Sequence, residues 1–326
     1  MRRREFITIL GGTALAHPFP ARAQQPPPVV GFIHSGSPAP VAALADAFRA
    51  GLGDQGFVEG RNVAIDFRFA ENQLDRLPAL AAELVAMNVA VIASAGGELT
   101  LLAARGATRT IPIVATMGGD PVAAGIITSL ARPGGNVTGI SFLTVELMSK
   151  RVDLLLEIAP RSTGIALLVN PRSPQTATVI KLVNEMAATK SKSVTVLPVT
   201  TAAEIESSLA GFDKSRADAL VIQADSFFNN QRAQLAELAL RYRLAAIHEA
   251  RAFVADGGLM SYGADLLDVH RLAGQAVGRV LKGARPADIA VQQSVKFPMA
   301  LNLKTAKALS LAVPPLVLAQ ADEVIE

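Results

Sequence analysis

The chain has 326 residues, half of them apolar and only 5% aromatic, with no cysteine and no tryptophan. That length exceeds the usual reach of one hydrophobic core and implies two domains, while the absence of cysteine excludes a disulfide framework, a thiolate metal site and a cysteine-linked lipid anchor. The formal charge is +3, but Arg2, Arg3, Arg4 and Arg22 against Glu5 account for all of it. Residues 24–326 are therefore neutral overall, unlike a general nucleic-acid binder, which needs excess Lys and Arg to displace counterions.

The first element in chain order is an address. Three arginines precede Phe6 and the short apolar run ITILGGTALA, followed by Ala21-Arg22-Ala23 and QQPPP. A basic start, an apolar stretch too short to span a bilayer and a small-x-small site form the layout of an export signal. Residues 1–23 are expected to be that signal, cleaved near Ala23, with 24–28 as linker and a soluble periplasmic product. Arg3-Arg4-Glu5-Phe6-Ile7 resembles the twin-arginine export motif, although Arg2 stands where Ser or Thr is usual.

Beyond the leader, short β-rich runs alternate with helical patterns. Strands are predicted at Val29–Ile33, Asn62–Phe69, Val89–Ala93, Ile111–Thr116 and Val137–Phe142, with helices between them, one marked by Val41, Leu44, Phe48 and Leu52 on one face. Continuous apolar strands joined by helices imply a parallel sheet covered on both sides. The pattern restarts at Thr163–Val169 and continues through Ser193–Val199, Ala219–Ile222 and Ala245–His248. A helix is expected to start at Ser173-Pro174, Ser as cap and Pro in the first turn, and another to run from Phe227 to Arg241. GFIHSGSP in the first half and ALLVNPRSP in the second share the order strand, polar loop, Ser-Pro. The whole reads as two Rossmann-like α/β lobes. The chain returns to the first lobe near Tyr262 and to the second near Gln292, so lobe 1 comprises 29–141 plus 263–291 and lobe 2 comprises 142–262 plus 292–326. With the passage near Phe142, this makes three hinge crossings.

Ligands of open parallel sheets bind at the carboxyl ends of the strands, which directs attention to the loops there. In the first lobe these supply His34, Ser35, Gly36, Ser94, Ala95, Gly96 and Met117. In the second they supply Asn170, Asp225, Phe228 and Glu249, with Tyr262 at a hinge. Ser35, Ser94, Ala95 and Gly96 are candidates to hold an acid group through hydroxyls and backbone N–H groups, and Asp225, with Glu249 second, to take an amine. Tyr262 and Phe228 are candidates to flank the rest of the ligand. Each has a plainer alternative: Asp225 and Asp120 as helix caps, Tyr262 as a packed hinge residue, Ser94 as a cap. No G-x-G-x-x-G follows a strand and no P-loop occurs. IASAG at 92–96 has the outline of a nucleophile elbow but carries Ile92 in place of its first Gly. The histidines of the body, His34, His248 and His270, lack metal-pair spacing, and His270 is expected on a helix surface. No cofactor, metal or catalytic residue is expected.

FRAGLGDQGFVEGRNVAIDFRFAE, GGDPV, SLARPGGNVTGIS, GGLMSYGADL and FPMALNLKTAKALSL, together with the leader, resemble the bacterial ABC-transporter substrate-binding proteins of the tryptophan/tyrosine-type uptake family. The likeness covers nearly all of the chain beyond the leader. It implies a type I periplasmic binding protein: two lobes, three crossings and a small ligand closed between them. It further implies a monomer that delivers its ligand to a membrane permease and ATPase, with an amino acid or related carboxylate as the expected ligand. The competing readings are a secreted two-lobed α/β enzyme and a ligand-responsive repressor, the latter requiring a DNA-binding segment ahead of Val29.

Overall fold

The computed structural model describes residues 26–142, 144–212 and 217–326; the expected export signal lies outside them. The first lobe runs β1 (Val29–His34), α1 (Pro38–Asp54), β2 (Ala64–Phe69), α2 (Leu77–Ala86), β3 (Val91–Ala95), α3 (Glu98–Ala107), β4 (Ile113–Met117) and β5 (Val137–Ser141). The second runs α4 (Met148–Ile158), β6 (Gly164–Val169), α5 (Thr176–Thr189), β7 (Ser193–Pro198), α6 (Ala202–Ala210), β8 (Ala219–Ile222), α7 (Ser226–Asn230), α8 (Arg232–Arg241), β9 (Ala245–His248), α9 (Arg251–Ala255) and β10 (Met260–Tyr262). The chain then forms α10 (Leu266–Leu281), β11 (Gln292–Gln293), β12 (Met299–Asn302), α11 (Leu303–Ala308), α12 (Pro315–Gln320) and β13 (Glu323–Ile325).

Two sheets result, ordered β11-β5-β4-β3-β1-β2 and β13-β12-β10-β9-β8-β6-β7. Central strands such as β3, β4 and β6 are buried at every residue, as strands covered on both faces must be. The edge strand β2 carries Asp66 and Arg68 as an ion pair, while Phe67 and Phe69 pack against the core. Each lobe holds one apolar cluster on either face of its sheet.

The crossings include 142 and 144–147, 263–265 and 294–298. The return to the second lobe therefore comes later than expected at Gln292. Gln292 and Gln293 pair in parallel with Ile140 and Ser141 and complete the first sheet. The strand expected within KFPMALNL enters its sheet from the cleft side, so β12 lies antiparallel to β10, an exception to the expected parallel order. The second and third crossings lie side by side, the Asp265 N–H donating to the Lys296 carbonyl (3.1 Å).

Two further expectations are corrected. Ser173-Pro174 does not open α5, whose cap position is Gln175. The Ser173 N–H donates to the Asn170 carbonyl and the Thr176 N–H to the Ser173 carbonyl, so NPRSP is consumed in successive turns. The helix expected over Phe227–Arg241 is divided at Gln231, whose N–H donates to both Phe227 and Phe228 carbonyls and closes the first segment.

Helices α1 and α10 pack through glycines at backbone distance. A Cβ at Gly51 would lie 1.9 Å from the Arg271 carbonyl oxygen, and one at Gly274 would lie 2.1 Å from that of Phe48. Neither obstacle is a flexible side chain, so overpacking must separate the helices. Gly274→Ala is expected to destabilise the protein by about 3 kcal/mol, read as a lower urea midpoint at unchanged m. A midpoint equal to wild type would show that the two helices part without cost.

Candidate functional site

The two lobes touch along one rim. Arg172 binds Asp75 at 2.5 Å, and the Asn230 amide donates to Asn72 at 2.9 Å. The Ser35 hydroxyl donates to the Gly96 carbonyl (2.6 Å) and lies 3.1 Å from the Ser226 hydroxyl of the opposite lobe. Gly36 faces Asn230 so closely that a Cβ would stand 2.4 Å from its amide oxygen. These contacts bring together β-strand ends of both lobes, as the closed form of a hinged pair does.

Behind the rim lies a cavity of about 550 Å³, within the range of small-molecule sites. Lobe 1 contributes His34, Gly96 and Thr116, with Pro40, Val41 and Leu44 of α1 as an apolar side. Lobe 2 contributes Asp225, Asn229 and Glu249, and the crossings contribute Phe142, Thr144 and Gly263. Gly96 and Gly97 turn into α3 at φ 85 and 104, a region that favours glycine. A tighter pocket under the rim is lined by Ser35, Asn170 and Ser226.

The acids dominate the second wall. Asp225 accepts from the Phe227 N–H (2.9 Å) and from the Asn170 amide (3.2 Å), so it caps α7 while also lining the cavity. Glu249 is 5% exposed and accepts from the Asn229 amide at 2.6 Å. Burial pushes both carboxyls above their ordinary range, opposed at Asp225 by its Asn170 bond and at Glu249 by the Arg151 charge. The arginines that line the cavity are already matched: Arg232 pairs with Asp256 (3.0 Å) and Arg251 with Glu323. The wall thus presents carboxylates whose capacity is only partly used.

Three histidines sit near or in the cleft, all buried. His34 Nδ1 accepts from the Gly36 N–H (2.8 Å), which leaves the proton on Nε2. His248 repeats this at the end of β9, accepting from the Ala250 N–H (3.0 Å). His270 lines the cavity and is not at the helix surface as expected, because α10 turns that face inward against α1. Its Nδ1 meets the Leu266 carbonyl (2.7 Å), and Nε2 has no partner among the described residues. Burial drives the pKa of His34 and of His248 down to about 3 and that of His270 to about 4.

Not every residue expected here reaches the cleft. Phe228 is fully buried in the lobe 2 core, because the short α7 turns it under the sheet. Met117 and Ala95 belong to lobe 1 core clusters, and Ser94 is enclosed within β3, its hydroxyl without a partner among the described residues. Tyr262 packs against the lobe 2 core and offers its carbonyl to Arg151. Asp120 accepts from the N–H groups of Val122 and Ala123 and serves as a cap. Missed from sequence were Asn72, Asn229, Asn230 and Arg151. A loop asparagine such as Asn72 and the helical Asn229 and Asn230 are too ordinary to single out, and a fully buried arginine has no sequence signature. No cluster able to hold a metal ion occurs among the described residues.

The model of the ABC transporter substrate binding protein family matches residues 36–325. The chain belongs to that family. It is 26% identical over 265 residues to a tyrosine-binding protein of Clostridioides difficile (strain R20291), covering 81% of this chain and 75% of that one. A domain from Streptococcus pneumonia, solved in complex with L-Trp, is 24% identical and superposes with a TM-score of 0.83 over 92% of this chain and all of its own. The ligand-free, open structure of a substrate binding protein with adhesive properties from Clostridium difficile is 23% identical, with a TM-score of 0.63 over 91% of this chain and 99% of that one. These likenesses confirm the type I periplasmic binding fold. The chain is the solute-binding component of an ABC importer.

Proposed function

We propose that this component is exported through residues 1–23, works in the periplasm without catalysis of its own, and closes around a small amine-bearing molecule, with an aromatic amino acid as first candidate. The observation that carries the ligand class is the pair of carboxyls, Asp225 and Glu249, at the ends of adjacent strands and facing a cavity whose arginines are already paired. A cationic amine there makes charge-assisted hydrogen bonds out of water. Backbone N–H groups around Gly96 and Gly97, at the start of α3, suit an acid group on the same molecule. Phe142, Val41 and Leu44 supply apolar surface for a side chain. The names of the relatives agree with this class. Closure is a population shift: only a ligand that touches both lobes stabilises the closed form.

The test is a thermal-shift screen of the mature protein against amino acids, organic acids and sugars. A ligand at 100 times its dissociation constant stabilises by about 2.7 kcal/mol, so tyrosine or tryptophan is expected to raise the melting temperature by several degrees. A strong shift from a neutral sugar, with none from any amine, would sink the assignment. N-terminal sequencing of the exported form is expected to begin near Gln24.

A further inference from the structure

Arg151 is the largest fully buried side chain among the described residues, with no exposed surface. Its Nε donates to the Tyr262 carbonyl (2.6 Å) and one terminal nitrogen to the Thr144 carbonyl (3.1 Å). Thr144 lies in the first crossing and Tyr262 ends β10 directly before the second, so one guanidinium holds the root of both. The remaining nitrogen has no hydrogen-bond partner among the described residues and stands 4.0 Å from Glu249 Oε2, a carboxylate that lines the cavity. A buried arginine is costly to desolvate unless several groups compensate it. Here those groups are two hinge carbonyls and one cleft carboxylate, a combination that ordinary core packing does not call for.

We propose that Arg151 is a positioning residue for ligand binding, fastening the first two crossings to lobe 2 and holding the Glu249 carboxylate against the cleft. The inference rests on the cleft being the ligand site. Because Arg151 belongs to α4 of lobe 2, bending is confined to the lobe 1 side of Thr144 and Tyr262. Gly263 lies on that side, its backbone so close to Glu249 that a Cβ would meet the Glu249 carbonyl at 2.4 Å. Movement of the crossing and placement of the carboxylate are thereby linked. The groups that act on Glu249 are Arg151 from α4, Asn229 from α7 and Asp225 at the end of β8. Arg151 is the cation among them, and its removal raises the Glu249 pKa further.

The two jobs separate by substitution. Arg151→Lys keeps a cation near Glu249 but lacks the planar fork that reaches both carbonyls. Arg151→Met removes both functions at similar length. The chain has no cysteine, so spin labels at Ala82→Cys on α2 and Ala203→Cys on α6, both exposed, report the lobe-to-lobe distance in the ligand-free protein. Both Arg151 variants are expected to broaden that distribution. With L-tyrosine and L-tryptophan as probes, Arg151→Met is expected to weaken binding at least about tenfold and to move the pH midpoint of affinity upward, while Arg151→Lys leaves that midpoint in place. A wild-type distance distribution in Arg151→Lys, or a wild-type midpoint in a folded Arg151→Met, overturns the proposal. If Arg151→Met fails to fold, the distance in Arg151→Lys decides. If neither probe binds the wild type, the aromatic-ligand reading fails, and the distance measurement still decides the role of Arg151.

Discussion

Lowering the pH from 7 to 5 is expected to remove several kcal/mol of stability from the ligand-free protein. His34, His248 and His270 are buried neutral, with pKa values of about 3, about 3 and about 4 against 6.5 in an unfolded chain. For a histidine with a depressed native pKa, stability is complete above the unfolded value. It is lost as pH falls below 6.5, because the unfolded state takes up the proton that the native state refuses. Each such group costs about 2 kcal/mol at pH 5, and three together about 5–6 kcal/mol, against total stabilities of roughly 5–15 kcal/mol. Asp225 and Glu249 act the other way, since burial favours their protonated form, and they offset part of the loss. Urea denaturation at pH 7 and pH 5 measures the difference. His270→Gln, which keeps a donor for the Leu266 carbonyl, is expected to flatten the pH dependence by about 2 kcal/mol over this range. A pH dependence left unchanged by His270→Gln would mean that His270 is protonated in the native state.

The two-lobed architecture was legible because it is written in periodicity. Runs such as ALLV within β6 and VIASA in β3 are too continuous for a half-exposed strand, and the intervening helices carry apolar residues every three or four positions. The strand-end loops were legible for the same reason, since topology places them at the cleft whatever their composition. What failed was the direction of single side chains. Phe228 and Met117 belong to cleft loops by position, but a one-residue step decides whether a side chain enters the core or the cavity. Periodicity places His270 on a helix without saying which face turns inward; the packing of α10 against α1 through Gly51 and Gly274 depends on a contact between segments more than 200 residues apart, as does the Arg271–Asp54 pair at 217. The third crossing comes later than the sequence suggests because Gln292-Gln293 is too short and polar to carry a strand signal of its own. It forms only as an edge against β5.

The largest effect on ligand affinity is expected from Glu249, not from Asp225. The sequence ranks Asp225 first, but its Oδ1 accepts from both the Phe227 N–H and the Asn170 amide, which holds the carboxylate in the α7 cap. Glu249 engages one oxygen with Asn229 and leaves Oε2 with only the distant Arg151 charge. Each acid keeps one oxygen outside these bonds, but Asp225 is fixed in a cap and Glu249 is not, so the amine is expected on Glu249. Glu249→Gln keeps the shape and the Asn229 bond but removes the charge. Losing one charge-assisted pair in a buried site costs about 2–5 kcal/mol, so an amine-bearing ligand is expected to bind about 100-fold more weakly. Asp225→Asn keeps an oxygen for the α7 cap and is expected to change stability by less than about 0.5 kcal/mol and affinity only a few-fold. The pH dependence follows with a definite sign. Glu249 has a raised pKa in the free protein, and the amine binds its ionised form, so affinity is full above that pKa and declines as pH falls through it. Titration calorimetry of both variants across pH checks the assignment. If Asp225→Asn abolishes binding while Glu249→Gln retains wild-type affinity, the amine sits on Asp225, and the cap and the ligand share one carboxylate.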